Sequence, residues 1–337
     1  MKQPSIAISL VTYNAAHYLP FCLQSLQQQT YKNWQLLIID NGSSDNTIAY
    51  LSENWPQYKV VSHQDNLGFS KAHNQAIAWT GGEYVLCLNQ DIIMAPNYLE
   101  TLVNFMDRNL QVGAASGLIY KWNFTDNKKT KIIDSAGLEL WRNHRVTDRD
   151  EGQEDVQQYN QPQEVWGVSG ALPLLSRKAL EQIKLKSGLT NEFFDEDFYA
   201  YKEDVDLAYR LRLAGWQAWF VPQAHAWHDR SIGNSQLKSQ WQIARAHRKK
   251  NKLINYLSYR NHILAIYKNE FRINIWKNFF SIICYEARKL LFIILFNRIN
   301  HRQFSSTRKL LPKMKKKRQQ LKKIIKIGPA DMASWYK

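Results

Sequence analysis

Residues 83–91 read Glu83-Tyr84-Val85-Leu86-Cys87-Leu88-Asn89-Gln90-Asp91, and the predicted fold is built around this stretch. It follows the pair Gly81–Gly82, is apolar up to Leu88 and then becomes polar at once. A short apolar run of this kind is typical of a buried strand in a parallel sheet, where chemistry lies beyond the carboxyl ends of the strands. Asp91 is therefore a candidate ligand for a divalent cation that holds a diphosphate. The alternative is that Asp91 caps the helix beginning near Pro96 or closes a turn.

The rest of the N-terminal half repeats the same alternation. Further strands are predicted at residues 5–11, 34–39, 58–62, 112–120 and 216–221, with helices at 18–28, 70–79, 96–108 and 177–183. Strands alternating with helices predict an α/β fold with a doubly wound, mostly parallel sheet. The chain contains neither GxGxxG nor GxxxxGK[ST], so neither a dinucleotide fingerprint nor a P-loop is available.

An acidic segment with six carboxylates lies between Asp195 and Asp206. It leads into a helix predicted at 207–214. Helix capping and pairing with Arg210 one turn later account for Asp206. They account less well for Glu203–Asp204, which directly follow aromatic residues. Trp166, Phe194, Phe198 and Tyr201 are candidates for packing against sugar rings, and for Phe194 core packing is at least as good an interpretation. Two histidines three apart, His225 and His228, are candidate metal ligands, although a lone histidine is more often structural.

Charge is unevenly distributed along the 337 residues. Residues 1–230 hold 20 Lys and Arg against 26 Asp and Glu, a net charge of −6, whereas residues 231–337 hold 25 against 3, a net charge of +22. The chain is predicted to divide into a catalytic domain at 1–235 and a basic helical extension at 236–337. Three cysteines (Cys22, Cys87 and Cys284) in apolar contexts predict buried reduced thiols and a cytosolic environment. The N-terminus shows no signal-peptide pattern.

The extension combines an apolar run with a polybasic tail. Residues 279–296 are largely apolar but include Glu286, Arg288 and Lys289, whereas a spanning helix needs about 20 apolar residues with almost no charge. An interfacial helix and a helix docked on the core both remain open. The basic tail at 298–326 follows directly, which favours an anionic membrane surface over nucleic acid as the partner.

Seven motifs in order resemble family 2 glycosyltransferases of the GT-A fold, a Rossmann-like fold for nucleotide-diphospho-sugar transferases. The motifs are Val11–Asn14, Asp40–Asp45, Asn66–Phe69 with Asn74, Asn89–Asp91, Ser169–Ala171, Glu203–Asp206 and Trp227–His228. Within that family the sequence is most similar to the bacterial rhamnosyltransferase and galactofuranosyltransferase branch. The resemblance covers roughly residues 5–268, and the order and spacing of the motifs are more specific than any one of them.

The resemblance implies a role for each matching position. Asp40 would bind the pyrimidine base of a nucleotide-sugar. The other residues implied for the nucleotide site are Thr12, Asn14, Asn66, Gly68, Asn74 and Asn89. Asp91 corresponds to the last carboxylate of the DXD motif, whose first position is Asn89 here, and His228 would be the second metal ligand. His225 does not match and is assigned to structure. Asp204 corresponds to the catalytic base and Glu203 to its acidic neighbour.

We therefore expect an inverting glycosyltransferase that depends on Mn²⁺ or Mg²⁺. Its donor would be a UDP- or dTDP-sugar, with dTDP-L-rhamnose the first choice. Its acceptor would be a lipid-linked or polysaccharide hydroxyl in cell-surface glycan synthesis. The enzyme would be cytoplasmic and peripheral on the inner face of the cell membrane, with no nucleic acid expected as a partner. Two alternatives are a nucleic-acid-binding protein that uses the basic extension and a nucleotidyltransferase. The latter should carry a glycine-rich basic loop after the first strand, where this chain has Thr12–Ala16.

Overall fold

The computed structural model describes residues 4–188, 190–230, 240–292 and 301–337. Its strands are β1 (Ile6–Thr12), β2 (Trp34–Asp40), β3 (Lys59–Ser62), β4 (Tyr84–Asn89), β5 (Ile92–Met94), β6 (Val112–Asn123), β7 (Lys128–Ser135), β8 (Leu138–Leu140), β9 (Val146–Asp148), β10 (Gln163–Val165), β11 (Leu174–Ser176), β12 (Leu185–Ser187), β13 (Thr190–Glu192) and β14 (Gln217–His228). Its helices are α1 (Leu19–Gln27), α2 (Thr47–Asn54), α3 (Gly68–Trp79), α4 (Tyr98–Arg108), α5 (Arg177–Ile183), α6 (Glu203–Leu213), α7 (Gln240–Asn269), α8 (Arg272–Lys277), α9 (Phe279–Phe292), α10 (His301–Leu321) and α11 (Pro329–Ala333), with a 3₁₀ turn at Glu196–Phe198.

A central, mostly parallel sheet organises the fold. Its strand order is β10-β14-β6-β11-β4-β1-β2-β3, with β5 added beside β14 and β7 beside β6. Strand β1 pairs in parallel with β2 and β4, and β2 pairs in parallel with β3. Strands β6 and β14 are also parallel, whereas β11 runs antiparallel between β4 and β6. The predicted α/β class is confirmed.

Alternation along the strands places core residues on both faces of the sheet. Leu86 and Leu88 of β4 join one apolar cluster, and Val85 and Cys87 join the other. Successive side chains of a strand point to opposite faces, so a strand covered on both sides must be apolar throughout. The register then pairs Thr12 with Asp40 and brings the polar ends of β1, β2 and β4 to one edge.

The structure extends several predicted elements. The last sheet strand, predicted at 216–221, continues to His228 through an irregularity after Val221, because β5 and β6 both pair with its second half. The short strand β5 was not predicted. The helix predicted at 207–214 begins at Glu203, after Lys202 adopts a left-handed backbone with φ of 68°. Cys22 and Cys87 are buried as expected, but Cys284 is exposed, so the prediction of three buried thiols was wrong for that residue.

Lysines from the C-terminal helices neutralise much of the acidic segment. The buried ammonium of Lys317 on α10 lies 2.8 Å from Glu192 and 2.9 Å from Asp197 and also contacts Asp195. Lys268 on α7 contacts Asp195 and lies 2.7 Å from Asp206. Burial alone would raise the pKa of Asp195, but the two ammonium groups outweigh it and hold that pKa below its usual range. Part of the charge of the basic extension is therefore used in buried ion pairs with these acidic residues.

The helices α8 and α9 present an apolar face to solvent. Trp276, Phe280, Ile283 and Leu291 are all exposed, and Phe280 is 82% accessible. Across the described ranges, we find no helix with the length and apolarity that a membrane span requires.

Candidate active site

A cavity of about 740 Å³ opens at the carboxyl ends of β1, β2 and β4. The loops that follow these strands line it, together with Tyr199–Tyr201 and the side chains of Leu253, Ile254 and Leu257 on α7. Six of the residues predicted for the site line this cavity: Thr12, Asn14, Asn66, Gly68, Asn89 and Asp91. Asp40, Asn74, Glu203, Asp204 and His228 do not line it.

Asp40 lies directly behind the cavity wall. Its carboxylate is fully buried and accepts hydrogen bonds from the hydroxyl of Thr12 at 2.9 Å and the backbone N–H of Ser43 at 3.0 Å. The neighbouring Asn14 has a left-handed backbone (φ 50°), and its side-chain oxygen accepts the N–H of Ser44 at 2.8 Å. Asp40 thus ties the ends of β1 and β2 together, and a base contact by Asp40 remains a prediction.

The turn before α3 forms another part of the wall. Gly68 has φ of 81°, and a Cβ there would lie 2.5 Å from the ring of Tyr199, so this close approach requires glycine. Asn66 accepts the N–H of Gly68 at 2.8 Å and the hydroxyl of Tyr199 at 3.2 Å. Asn74 is separated from this group: it is buried and bonds the backbone of Phe194 through both ends of its amide.

Asp91 and His228 meet at the edge of the cavity. Antiparallel pairing of β5 with β14 sets His228 opposite Ile92, and the N–H of Asp229 donates to the carbonyl of Asp91 at 3.1 Å. The side chains then approach to 3.4 Å between Nε2 of His228 and Oδ1 of Asp91. His225, by contrast, packs its ring edge-on against Tyr120.

A second carboxylate, which the sequence analysis missed, orients His228. Oδ2 of Asp134 lies 2.9 Å from Nδ1 of His228, and Arg230 holds Asp134 from the other side at 2.8 Å. Burial lowers the pKa of His228, but the charges of Asp91 and Asp134 outweigh it and raise that pKa to about 10. The sequence carried no local signal for Asp134, because only long-range pairing of β7 brings it here.

This donor set fits a hard divalent cation. Nδ1 is engaged by Asp134, so a cation that displaces the proton from Nε2 would bind there beside a carboxylate oxygen of Asp91, which is the usual arrangement around metal-binding histidines. Among the described residues, no three His, Cys, Asp or Glu side chains form a complete metal cluster. Two protein ligands suit Mg²⁺ or Mn²⁺ when phosphate oxygens and water supply the others.

Glu203 and Asp204 occupy the first turn of α6. Asp204 is partly exposed and accepts the N–H of Gly170 at 3.1 Å and that of Val205 at 2.7 Å. Burial raises the pKa of Asp204, and the positive charge of Lys202 offsets part of this rise. Glu203 is more deeply buried, and its Oε2 has no hydrogen-bond partner among the residues described. Burial, followed by the charge of Asp204, raises the pKa of Glu203 to about 8. Two adjacent carboxyls therefore share one negative charge near neutral pH.

The charges of both Glu203 and Asp91 act on Tyr201. It lines the cavity, and its pKa is raised to about 12 by burial and then by the charges of Glu203 and Asp91. The backbone of Tyr201 is left-handed with φ of 70°, and Asn261 on α7 donates to its carbonyl at 2.7 Å. No sequence motif indicated that Asn261 would hold this segment.

The other aromatic candidates are part of the core. Trp166, Phe194 and Phe198 are all at most 2% exposed. Of the four aromatic residues considered for sugar packing, Tyr201 is the one that reaches the large cavity.

The fold is of the GT-A type. A solved structure of GalNAc-T7 with UDP, GalNAc and Mn²⁺ superposes with a TM-score of 0.60 at 13% identity, covering 86% of this chain and 51% of that one. The mannosyltransferase PcManGT from Pyrobaculum calidifontis, with GDP-Man and Mn²⁺, superposes with a TM-score of 0.50 at 15% identity, covering 99% and 86%. At these identities the likeness concerns the fold alone.

The chain belongs to glycosyl transferase family 2, whose model matches residues 7–184, and it is a glycosyltransferase. It is 27% identical over 245 residues to the N-acetylglucosaminyl-diphospho-decaprenol L-rhamnosyltransferase of Mycobacterium tuberculosis, covering 67% of this chain and 76% of the relative. It is 32% identical over 105 residues to the UDP-Glc:alpha-D-GlcNAc-diphosphoundecaprenol beta-1,3-glucosyltransferase WfgD of Escherichia coli, covering 31% and 42%. The predicted family and its rhamnosyltransferase-like branch are confirmed.

Proposed function

We propose that this protein is an inverting, metal-dependent glycosyltransferase that transfers a sugar from a UDP- or dTDP-sugar to a hydroxyl of a lipid-linked acceptor. The observation that carries the proposal is that the charges of Asp91, which lies 3.4 Å from His228, and of Glu203, which precedes Asp204, both act on Tyr201 at the cavity. Sugar transfer needs both a stabiliser for the departing diphosphate and a base for the acceptor hydroxyl.

In this mechanism Asp204 accepts the proton of the acceptor hydroxyl as the hydroxyl attacks the anomeric carbon. Glu203 is the more deeply buried of the two carboxyls, and burial raises its pKa to about 8, which favours the negative charge on the more exposed Asp204. A Mn²⁺ or Mg²⁺ ion held by Asp91 and His228 would neutralise charge on the leaving diphosphate. One displacement with the base and the leaving group on opposite sides of the sugar inverts the anomeric configuration.

The named relatives support the substrate classes. The Mycobacterium tuberculosis relative is named as an L-rhamnosyltransferase, and both relatives are named for polyprenyl-diphosphate-linked acceptors. We therefore keep dTDP-L-rhamnose as the first donor to test. A cell-surface glycan precursor on the inner face of the cell membrane is the corresponding acceptor.

The test is a screen of nucleotide-sugars by thermal shift and by slow hydrolysis, with Mn²⁺, Mg²⁺ or EDTA. We expect one UDP- or dTDP-sugar to be hydrolysed with a metal present, and the activity to disappear in EDTA. Hydrolysis that is unchanged by EDTA would contradict metal dependence. Failure of every nucleotide-sugar to shift the melting temperature or to be hydrolysed would contradict the donor class.

Peripheral attachment to the membrane is supported by the exposed apolar face of α8 and α9. Removing residues 279–337 is a poor test, because it also removes Lys317 from its buried carboxylates. The double variant Phe280→Ser/Leu291→Ser changes only exposed side chains. Leu110 is 75% exposed and lies outside α8 and α9, so Leu110→Ser is the matched control. We expect the double variant alone to lose co-sedimentation with anionic vesicles. Undiminished co-sedimentation would contradict attachment through this face.

A further inference from the structure

Another cavity shares no residue with the candidate active site and is lined almost entirely by cations. It has a volume of about 310 Å³ and lies between the start of α8 and the end of α10. Its lining consists of Arg272, Lys315, Arg318, Gln319 and Lys322, and includes no Asp or Glu of the residues that the structure describes. We call it the basic cavity.

Helical spacing brings three of these cations to one face of α10. Lys315, Arg318 and Lys322 lie at positions i, i+3 and i+7. The N–H of Lys322 donates to the carbonyl of Arg318 at 3.2 Å, which continues the helical pattern past the last residue of α10. Nη2 of Arg318 donates to the carbonyl of Glu270 at 2.6 Å. Arg272 follows Glu270 by two residues at the start of α8, so this hydrogen bond holds Arg272 beside α10.

Neighbouring carboxylates leave the basic cavity with an excess of positive charge. Burial, followed by the charge of Arg272, lowers the pKa of Arg318 despite the attraction of Glu270. The side chain of Glu270 is fully buried and lies 3.3 Å from Nδ1 of His144. The ion pairs of Lys317 lie on another face of α10. The other three cations of the cavity form no ion pair within the described ranges. An anion would relieve this excess.

An exposed aromatic strip begins next to the basic cavity. Trp276 follows Arg272 by one turn of α8, and residues four apart share a face of a helix. The ring of Trp276 lies 5.7 Å from that of Phe279, which in turn lies 5.7 Å from that of Phe280. All three rings are exposed, Trp276 by 71%. Positive charge and aromatic surface therefore adjoin at the start of α8.

We propose that the basic cavity binds the phosphate headgroup of an anionic membrane lipid. The oxygens of a phosphodiester accept charge-assisted hydrogen bonds from lysine and arginine. The aromatic strip favours a lipid over a free phosphate, because the rings would enter the interface together with the headgroup. The inference rests on the proposed membrane attachment and gives that attachment a discrete site, which a diffuse polybasic surface would lack.

The test compares two pairs of lysines that differ by one position in the sequence. Lys315 and Lys322 line the basic cavity, whereas their exposed neighbours Lys316 and Lys323 do not. We expect full-length Lys315→Gln/Lys322→Gln to bind mixed phosphatidylcholine and phosphatidylglycerol vesicles at least about tenfold more weakly than Lys316→Gln/Lys323→Gln does. The two variants have the same net charge, so a diffuse attraction would weaken both equally. Equal affinity of the two variants in co-sedimentation would overturn the proposal.

A second arm removes the membrane. Dihexanoyl phosphatidylglycerol, titrated calorimetrically below its micelle concentration, should bind the wild-type chain and the control pair, and at least about tenfold more weakly Lys315→Gln/Lys322→Gln. Absence of binding to the wild type would overturn the proposal. Equally tight binding of inorganic phosphate would overturn it in favour of a free anion.

Two further outcomes separate this inference from its rivals. If the cavity variant lost binding to a single-stranded oligonucleotide but kept its binding to the soluble lipid, the proposal would be overturned in favour of nucleic acid. If the wild type bound the soluble lipid through the cavity lysines but did not co-sediment with vesicles, the cavity would be supported and the proposed membrane attachment contradicted.

Discussion

Oδ2 of Asp134 lies 2.9 Å from Nδ1 of His228, on the side of the ring away from Asp91. This contact holds a proton on Nδ1, so a cation would bind at Nε2 and displace the proton there. We predict that Asp134→Asn raises the metal concentration needed for half-maximal activity by about 10- to 100-fold. A Mn²⁺ titration of donor hydrolysis measures it, with the exposed Asp107→Asn as the control. An unchanged titration curve would remove Asp134 from this role.

The proposed base gives the second prediction. Asp204→Asn should lower the turnover number by about 10² to 10⁴-fold, the usual contribution of a general base, because the amide cannot accept the proton. Nucleotide binding should persist, since Asp204 does not line the large cavity. Single-turnover transfer and calorimetric titration with the nucleoside diphosphate measure the two effects. A variant that retains full turnover would refute the assignment.

The buried carboxyl of Glu203 predicts a pH-dependent stability. Its pKa is raised from 4.5 to about 8 in the folded chain, so the folded state binds the proton more tightly than the unfolded state does. Stability from this group is therefore present at pH 4.5 and is lost as the pH rises towards 8. Glu203→Gln should remove this loss. Between pH 5 and pH 9 the variant should therefore lose less stability than the wild type does. Urea midpoints at the two pH values test it, and a wild-type slope retained in the variant would contradict it.

Gly170 lies against the proposed base. A Cβ at this position would approach the Cβ of Asp204 to 3.2 Å, tighter than ordinary contact. Gly170→Ala should displace the carboxylate and lower the turnover number about tenfold or more, because small misplacements of a catalytic group are costly. Gly81→Ala, where a Cβ meets nothing closer than 4.0 Å, is the matched control. Equal turnover in the two variants would show that Asp204 tolerates the methyl group.

Lys317 ties the C-terminal extension to the catalytic part. Lys317→Met would leave Glu192 and Asp197 without this buried partner and weaken the pairing of Asp195, and breaking a buried pair in this way costs about 3–5 kcal/mol. The exposed Lys316→Met should change stability little. Chemical denaturation followed by circular dichroism measures both. A midpoint for Lys317→Met equal to that of the control would mean that these carboxylates do not depend on the extension.

The sequence was sufficient to predict the mostly parallel sheet, the family and six of the residues that line the cavity. Those features depend on local patterns: an apolar strand such as 84–89, the polar loop after it, and the order of the motifs. Tertiary structure alone decided which residues support the site. Asp134 reaches His228 through sheet pairing, and Asn261 and Lys317 reach the acidic segment from helices far along the chain. These contacts depend on side-chain packing between distant segments, which leaves no periodicity or spacing in the sequence from which to predict them.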